Sequence, residues 1–216
     1  MLPESVDRLP PTAFIVDDDE SIRTLWRWLM ESNGIAVQTF ASASTFIAAY
    51  RKGSPGCLVL DLRLPGMSGL ELQQHLKREG VELPVVFVTA HGDIPTAVEA
   101  LKGGAIDYIE KPFGYRRMLA IIDNAFRRDA EIRERHRRRE LVESRLATLT
   151  ERERELLRRV IDGKQNKVIA AELEISMKTV EFHRSKMMVK MGVESVAELV
   201  QMTLGFSLMD AGPPEG

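Results

Sequence analysis

Ala13-Phe14-Ile15-Val16-Asp17-Asp18-Asp19-Glu20 decides the fold: a strand-like apolar run that stops at four acids. The same construction recurs downstream. Cys57-Leu58-Val59-Leu60 leads into Asp61, Pro84-Val85-Val86-Phe87-Val88 into Thr89-Ala90, and Ala105-Ile106-Asp107-Tyr108-Ile109 into Lys111-Pro112-Phe113. Short apolar runs bounded by turn signals read as buried strands, and an open parallel sheet gathers its ligand groups at the carboxyl ends of its strands. The polar pieces therefore fall on one edge of one sheet.

From residue 13 to about 126 these runs, with Ile35 to Phe40, alternate with helical patterns in five βα units, which predicts a parallel sheet covered on both faces. Ser21 is the expected cap of a first helix whose apolar positions are Ile22, Leu25, Trp26 and Leu29, stopped at Asn33-Gly34. Ser42 opens a second helix through Phe46, Ile47 and Tyr50. Pro65-Gly66-Met67-Ser68-Gly69 is a loop before a third helix, which Gly80 closes. A fourth runs from about Ile94 to Lys102 and ends at Gly103-Gly104.

The fifth helix, after Pro112, has no stop signal. Leu119, Ile121, Ile122 and Phe126 pass into residues 127 to 140, where charges of both signs stand at helical spacing without Gly or Pro. A long solvated helix acting as a charged connector is expected there. From about Ala147 only helical segments follow: Glu151 to Ile161, Asn166 to Leu173, Lys178 to Met191 and Ser195 to Met202, with Thr150 and Glu153 forming a capping box before the first. The residues from Ala211 to Gly216 read as a disordered tail.

A length of 216 residues suits two domains, and 44% apolar with 29% charged residues is ordinary globular composition. The expected division is 1–128, a linker at 129–146, and 147–216. The lone Cys57 has no disulfide partner and reads as a small buried hydrophobe, which suits a reducing cytoplasm. No apolar stretch approaches a membrane span, so a cytoplasmic protein without membrane contact is expected.

The acidic edge carries chemistry. Asp17, Asp18 and Asp61 placed together repel one another and demand a positive partner. An all-oxygen site with room for water suits Mg²⁺, and Lys111 adds a mobile positive charge. With charge cancelled in this way the Asp61 carboxylate can attack a phosphoryl group in line, and Thr89 can donate to a phosphoryl oxygen once one is present.

These residues, with Asp61-Leu62-Arg63-Leu64-Pro65-Gly66-Met67-Ser68-Gly69-Leu70 and the Lys111-Pro112-Phe113 ending, resemble the receiver domain of two-component response regulators over roughly residues 11 to 128. The resemblance implies a flavodoxin-like α/β fold with Asp61 as phosphoacceptor, and a metal site of Asp17, Asp18, Asp61 and the main-chain oxygen of Arg63. It makes Thr89 and Lys111 switch residues and Tyr108 an aromatic switch that turns inward, and it implies a cis peptide at Lys111-Pro112. Phosphatases with an Asp nucleophile need a second Asp two residues later, where this chain has Arg63. Self-catalysed phosphotransfer with slow autodephosphorylation is therefore expected in place of enzymatic turnover.

Between Lys164 and Lys190 six Lys/Arg face three acids. The helices around Glu174-Ile175-Ser176 have helix-turn-helix dimensions, with Val168, Ile169, Ala171, Leu173 and Ile175 as expected core and Val180, Met187 and Met191 on the inner face of the second helix. Leu149-Thr150-Glu151-Arg152-Glu153-Arg154-Glu155-Leu156-Leu157, Gly163-Lys164-Gln165-Asn166-Lys167-Val168-Ile169-Ala170 and Lys178-Thr179-Val180-Glu181-Phe182-His183 resemble the LuxR-type DNA-binding domain over roughly residues 147 to 205. That resemblance makes Lys178 to Met191 the recognition helix. Lys164, Asn166, Lys167, Lys178, Thr179 and Lys186 are candidates for phosphate contacts, and Glu181, Phe182 and Ser185 for base edges. Lys190 is expected to be solvated, His183 to be packed, and the last helix resembles the family's dimer helix.

A receiver followed by such an output resembles the FixJ/NarL class, nearer its FixJ branch. The expected function is a transcriptional response regulator phosphorylated by a sensor histidine kinase, dimerising through the Ile94 to Ile109 face, binding double-stranded promoter DNA and meeting RNA polymerase. The alternative is a phosphorylation-controlled protein-interaction switch without sequence-specific DNA binding.

Overall fold

The computed structural model describes residues 10–90 and 92–204. The chain divides into two compact units, with the boundary between Glu134 and Arg135. The first contains one sheet of β1 (Thr12–Val16), β2 (Ala36–Phe40), β3 (Gly56–Leu60), β4 (Val85–Thr89) and β5 (Asp107–Glu110). All neighbours are parallel, in the order β2-β1-β3-β4-β5. In register, Val16 lies beside Leu60 and Leu60 beside Phe87, so the residues that follow these strands emerge side by side.

Every residue of β3 and β4 is buried, as a strand covered on both faces requires. One face packs Ile15, Val59 and Val88 against Trp26, Leu29 and Met30 of α1 (Glu20–Ser32) and against Met118, Ile122 and Ala125 of α5 (Tyr115–Ala147). The other packs Phe14, Leu58, Leu60 and Phe87 against Phe46 of α2 (Ala43–Ala49), Leu72 and Leu76 of α3 (Gly69–Arg78), and Ala100 of α4 (Ile94–Lys102).

The helix starts follow local chemistry. Ser42 and Ser68 each close a capping box, with Thr45 and Glu71, and such caps contribute about 1 kcal/mol apiece. The first helix differs from expectation. Asp19, not Ser21, is its N-cap, because the Asp19 carboxylate accepts from both the main-chain N–H and the hydroxyl of Ser21. Leu25, one of the expected apolar positions, is 57% exposed, whereas Met30 is fully buried. Asn33 and Gly34, the latter at φ 71°, end the helix.

Helix α4 is held loosely: Ala100 is its one buried residue, and Ile94, Val98 and Leu101 are exposed. Its other tie is Gln73 of α3, a buried amide whose Nε2 donates to the Ala100 carbonyl at 3.1 Å. Gly103 leaves room for that amide, since a Cβ there would stand 2.5 Å from Gln73 Oε1.

Helix α5 runs unbroken for 33 residues. The expectation of a solvated run from residue 127 fails at Asp129, which is only 5% exposed, and at half-buried Arg133. Asp129 accepts from the main-chain N–H of Gly56, a partner 73 residues away that no helical pattern reveals.

The second unit is all helical, with α6 (Glu151–Ile161), α7 (Asn166–Glu172), α8 (Met177–Met191) and α9 (Val196–Thr203) around Leu156, Leu157, Val160, Ile169, Val180, Met187, Met191 and Leu199. The Thr150–Glu153 capping box opens α6. Two expected core positions are wrong. Val168 and Ala171 are exposed, because α7 turns Ile169, Ala170 and Leu173 inward, one residue out of phase with the expected face. The expected disordered tail lies outside the described residues.

Candidate phosphoacceptor pocket and nucleic-acid interface

Carboxylate oxygens of Asp17, Asp18 and Asp61 lie within 4.8 Å of one another. They come from the ends of β1 and β3, which pair in register, so the sheet itself forces the approach. Lys111, just past β5, reaches back to both strands: its Nζ donates to Asp17 Oδ2 at 2.8 Å and to Asp61 Oδ2 at 3.3 Å. The Lys111-Pro112 bond is cis, as the receiver resemblance implies. The main-chain N–H of Lys111 donates to the Thr89 carbonyl at 2.7 Å, which joins the ends of β4 and β5.

The charges are unevenly buried. Asp17 is 3% exposed, Asp61 is half-buried and Asp18 is open to solvent. Burial pushes the Asp17 carboxyl up, and the hydrogen bond from Lys111 and that from the Asp19 N–H only partly pull it back. Burial alone would lower the Lys111 ammonium, but the hydrogen bond to Asp17 and the charges of Asp17 and Asp61 outweigh it and hold it above the ordinary lysine range. One ammonium against three carboxylates leaves the cluster net negative. An all-oxygen, partly open, anionic set of this size fits a hard divalent cation that keeps some of its water.

The remaining groups are placed as follows. The Arg63 N–H donates to Asp61 Oδ1 at 3.1 Å, so the main chain folds over the carboxylate here. Thr89 is buried at the end of β4. The Tyr108 ring packs beside Phe87 and its hydroxyl is shielded from solvent, with no hydrogen-bond partner among the described residues. Two supports were not foreseen. Arg23 donates to the Asp17 carbonyl at 2.8 Å, a contact that its place one turn into α1 would have suggested. Gly69 sits so close that a Cβ would stand 2.3 Å from the Asp61 carbonyl oxygen, and its N–H donates to Leu62 O. The first residue of α3 thus roofs the loop that leaves Asp61.

On the second unit Lys167, Lys178, Glu181, Phe182, Ser185 and Lys186 are exposed. Phe182 is 55% exposed, and the Lys186 ammonium lies over its ring, 4.4 Å from the centroid. Other candidates have intramolecular partners. Lys164 pairs with Glu172 at 2.5 Å, and Arg159 pairs with the same carboxylate at 3.0 Å. Asn166 Oδ1 accepts from Arg184 at 2.6 Å, and the Thr179 hydroxyl lies 2.8 Å from that of Ser176 at the start of α8. His183 is half-buried against Phe182. Lys190 is not simply solvated: it donates to buried Glu153 at 2.6 Å and to the Thr148 carbonyl at 3.0 Å. Burial raises the Glu153 carboxyl, yet the hydrogen bonds from Lys190 and Thr150 together bring it below the ordinary glutamate range.

Comparison with known proteins agrees with both halves of this geometry. Residues 13–123 match the response regulator receiver domain and residues 147–203 the bacterial regulatory proteins of the luxR family. The chain is 42% identical over 190 residues to the transcriptional regulatory protein FixJ of Azorhizobium caulinodans, covering 88% of this chain and 90% of that protein. It is 40% identical over 190 residues to the response regulator protein TodT of Pseudomonas putida, covering 88% and 84%. Among solved structures it resembles the response regulator StyR, with a TM-score of 0.83 and 44% identity over 91% of this chain and 99% of that one. The strand-end carboxylates and the helix-turn-helix surface thus have relatives along nearly the whole chain, which belongs to the response regulators of FixJ type and is a DNA-binding transcriptional regulator.

Proposed function

We propose that Asp61 is the phosphoacceptor of a two-component relay and that its phosphorylation, by a sensor histidine kinase, controls dimerisation and promoter binding. The observation that carries this reading is Lys111 bridging Asp17 and Asp61 across three strand ends. A half-buried carboxylate held beside an ammonium is oriented for in-line attack: an Asp61 oxygen bonds to phosphorus as the donor's own bond to phosphorus breaks. Lys111 then follows the new charge, and Thr89 donates its hydroxyl to a phosphoryl oxygen. Receiver domains generally bind Mg²⁺ at such a pocket, and here Asp17, Asp18, Asp61 and the main-chain oxygen of Arg63 would hold it. When bound it supplies charge neutralisation of the phosphoryl oxygens.

The response is a population shift of α4 and β5, whose Ile94 to Ile109 surface becomes the dimer face. Tyr108 serves as the aromatic switch; an inward ring is the phosphorylated-state rotamer, so the resting state would populate an outward one as well. The dimer places two recognition helices on one duplex and gains affinity by effective concentration. Lys167, Lys178 and Lys186 contact phosphates, with Asn166 and Thr179 joining them by exchanging their present partners and Lys164 adding less while it stays paired with Glu172, and Glu181, Phe182 and Ser185 meet base edges. The setting is the cytoplasm, with RNA polymerase as the further partner. Among the described residues no helix is long and apolar enough to cross a membrane.

Asp61→Asn tests the reading: incubation with a small phosphodonor and Mg²⁺ should label wild type and leave the variant unlabelled and monomeric. Labelling of the variant at full stoichiometry would reject Asp61 as acceptor.

A further inference from the structure

Helix α5 leaves the first unit at a carboxylate. Asp129 is the last buried residue of that unit along the helix; residues 130 to 134 are exposed or half-buried. Its Oδ2 accepts from the Gly56 N–H at 3.0 Å and is ion-paired with Arg133, whose Nε lies 3.1 Å away. Gly56 opens β3 at φ 148°, where a Cβ would fall 2.0 Å from the Thr12 carbonyl oxygen, so the strand start is pressed against β1 and its amide has one fixed direction. Burial raises the Asp129 carboxyl, and the Gly56 N–H followed by Arg133 partly offsets this.

Apolar contacts are non-directional and let a helix rotate or slide by small amounts, whereas a hydrogen bond to a main-chain N–H weakens steeply with angle. A slip of one residue would turn everything beyond it by about 100°. The strand that receives this bond is also the one that delivers Asp61 at its other end. β3 is buried along its whole length between β1 and β4.

We propose that Asp129 is a positioning residue that seats the linker end of α5 on the start of β3, and that this seat lets a phosphoryl group at Asp61 act on DNA binding. The proposal rests on the reading of Asp61 as phosphoacceptor. It concerns transmission, not chemistry, so loss of the seat leaves phosphorylation itself intact.

The test uses the full-length protein with two substitutions. Asp129→Leu keeps the branched outline and removes the acceptor; Asp129→Asn keeps an oxygen for the Gly56 N–H without the charge. Each is assayed for Asp61 labelling by acetyl phosphate with Mg²⁺, for amide exchange at Gly56, and for the gain in affinity on phosphorylation for a duplex selected by wild type. In Asp129→Leu the Gly56 amide should exchange about tenfold faster, labelling should match wild type, and the gain in DNA affinity should disappear. Asp129→Asn should restore both the slow exchange and the gain. A labelled Asp129→Leu protein with the full wild-type gain overturns the proposal, as does an Asp129→Asn protein that is labelled but no better coupled than the leucine variant. If Asp129→Leu does not fold, the asparagine variant decides, because the seat requires it to keep the full gain. Absence of labelling in wild type would instead remove the phosphoacceptor reading underneath.

Discussion

The acidic pocket and the basic stretch of the helical unit use the same kinds of charged side chain in opposite ways. In the pocket, carboxylates outnumber the one lysine and are packed together by the register of β1 and β3, so the site is left wanting positive charge. On the second unit two lysines of the basic stretch are already paired, the phosphate candidate Lys164 with Glu172 and Lys190, expected to be solvated, with Glu153. The difference teaches that charge counted along a sequence is not charge available to a ligand. A carboxylate cluster built by a sheet invites a cation, whereas a lysine beside a helix acid can be a brace.

The sharpest way to break this contrast is Lys111→Met. It removes the counter-charge of Asp17 and Asp61, and phosphodonor-dependent dimerisation, read by light scattering, should be lost; persistence at wild-type level would make Lys111 a mere spectator. Next is Lys190→Met, which strands the nearly buried Glu153. Removing one partner of a buried pair costs about 3–5 kcal/mol, reduced here to about 2 kcal/mol because Lys190 is one-third exposed. Chemical denaturation followed by helical circular dichroism should show that loss, and Glu153→Gln should recover part of it.

The same pair gives a pH signature. Glu153 is held below its unfolded value of about 4.3, so its stabilisation is full above that pH and is lost as pH falls through the folded value. Denaturation midpoints between neutral pH and acid should therefore fall more steeply in wild type than in Glu153→Gln; parallel slopes would dismiss the pair as an acid sensor. Smallest is the salt test. Lys167→Ala and Lys186→Ala should each reduce the salt slope of DNA affinity by about one unit, and Lys164→Ala by less, because Glu172 already neutralises it. Equal slopes for all three would show that the Lys164 pair opens on DNA.

Most of the first unit was legible because strands that end in polar residues announce both the sheet and its edge. Asp17, Asp61 and Lys111 follow strands and Thr89 ends one, and a parallel sheet leaves them nowhere else to go. What sequence periodicity missed is what depends on contacts distant in the chain or on small phase errors. Leu25 and Met30 differ by little more than a helical turn, and α7 is out by one residue, enough to expose Val168 and bury Ala170. Asp129 looked like one more charge in a solvated run, and its partner Gly56 belongs to another element. Lys190 and Glu153 stand 37 residues apart, beyond any local rule. The cap at Asp19 was hidden by its neighbours, since any of several adjacent acids or Ser21 could have started that helix.

The slack mooring of α4 has a thermodynamic consequence. Among the described residues Ala100 is the one fully buried side chain of this helix and the Gln73 amide ties it to α3, so displacing it would forfeit little buried contact. Tightening the fit, for instance by giving Val98 a buried partner, would make a sturdier protein and a deafer one.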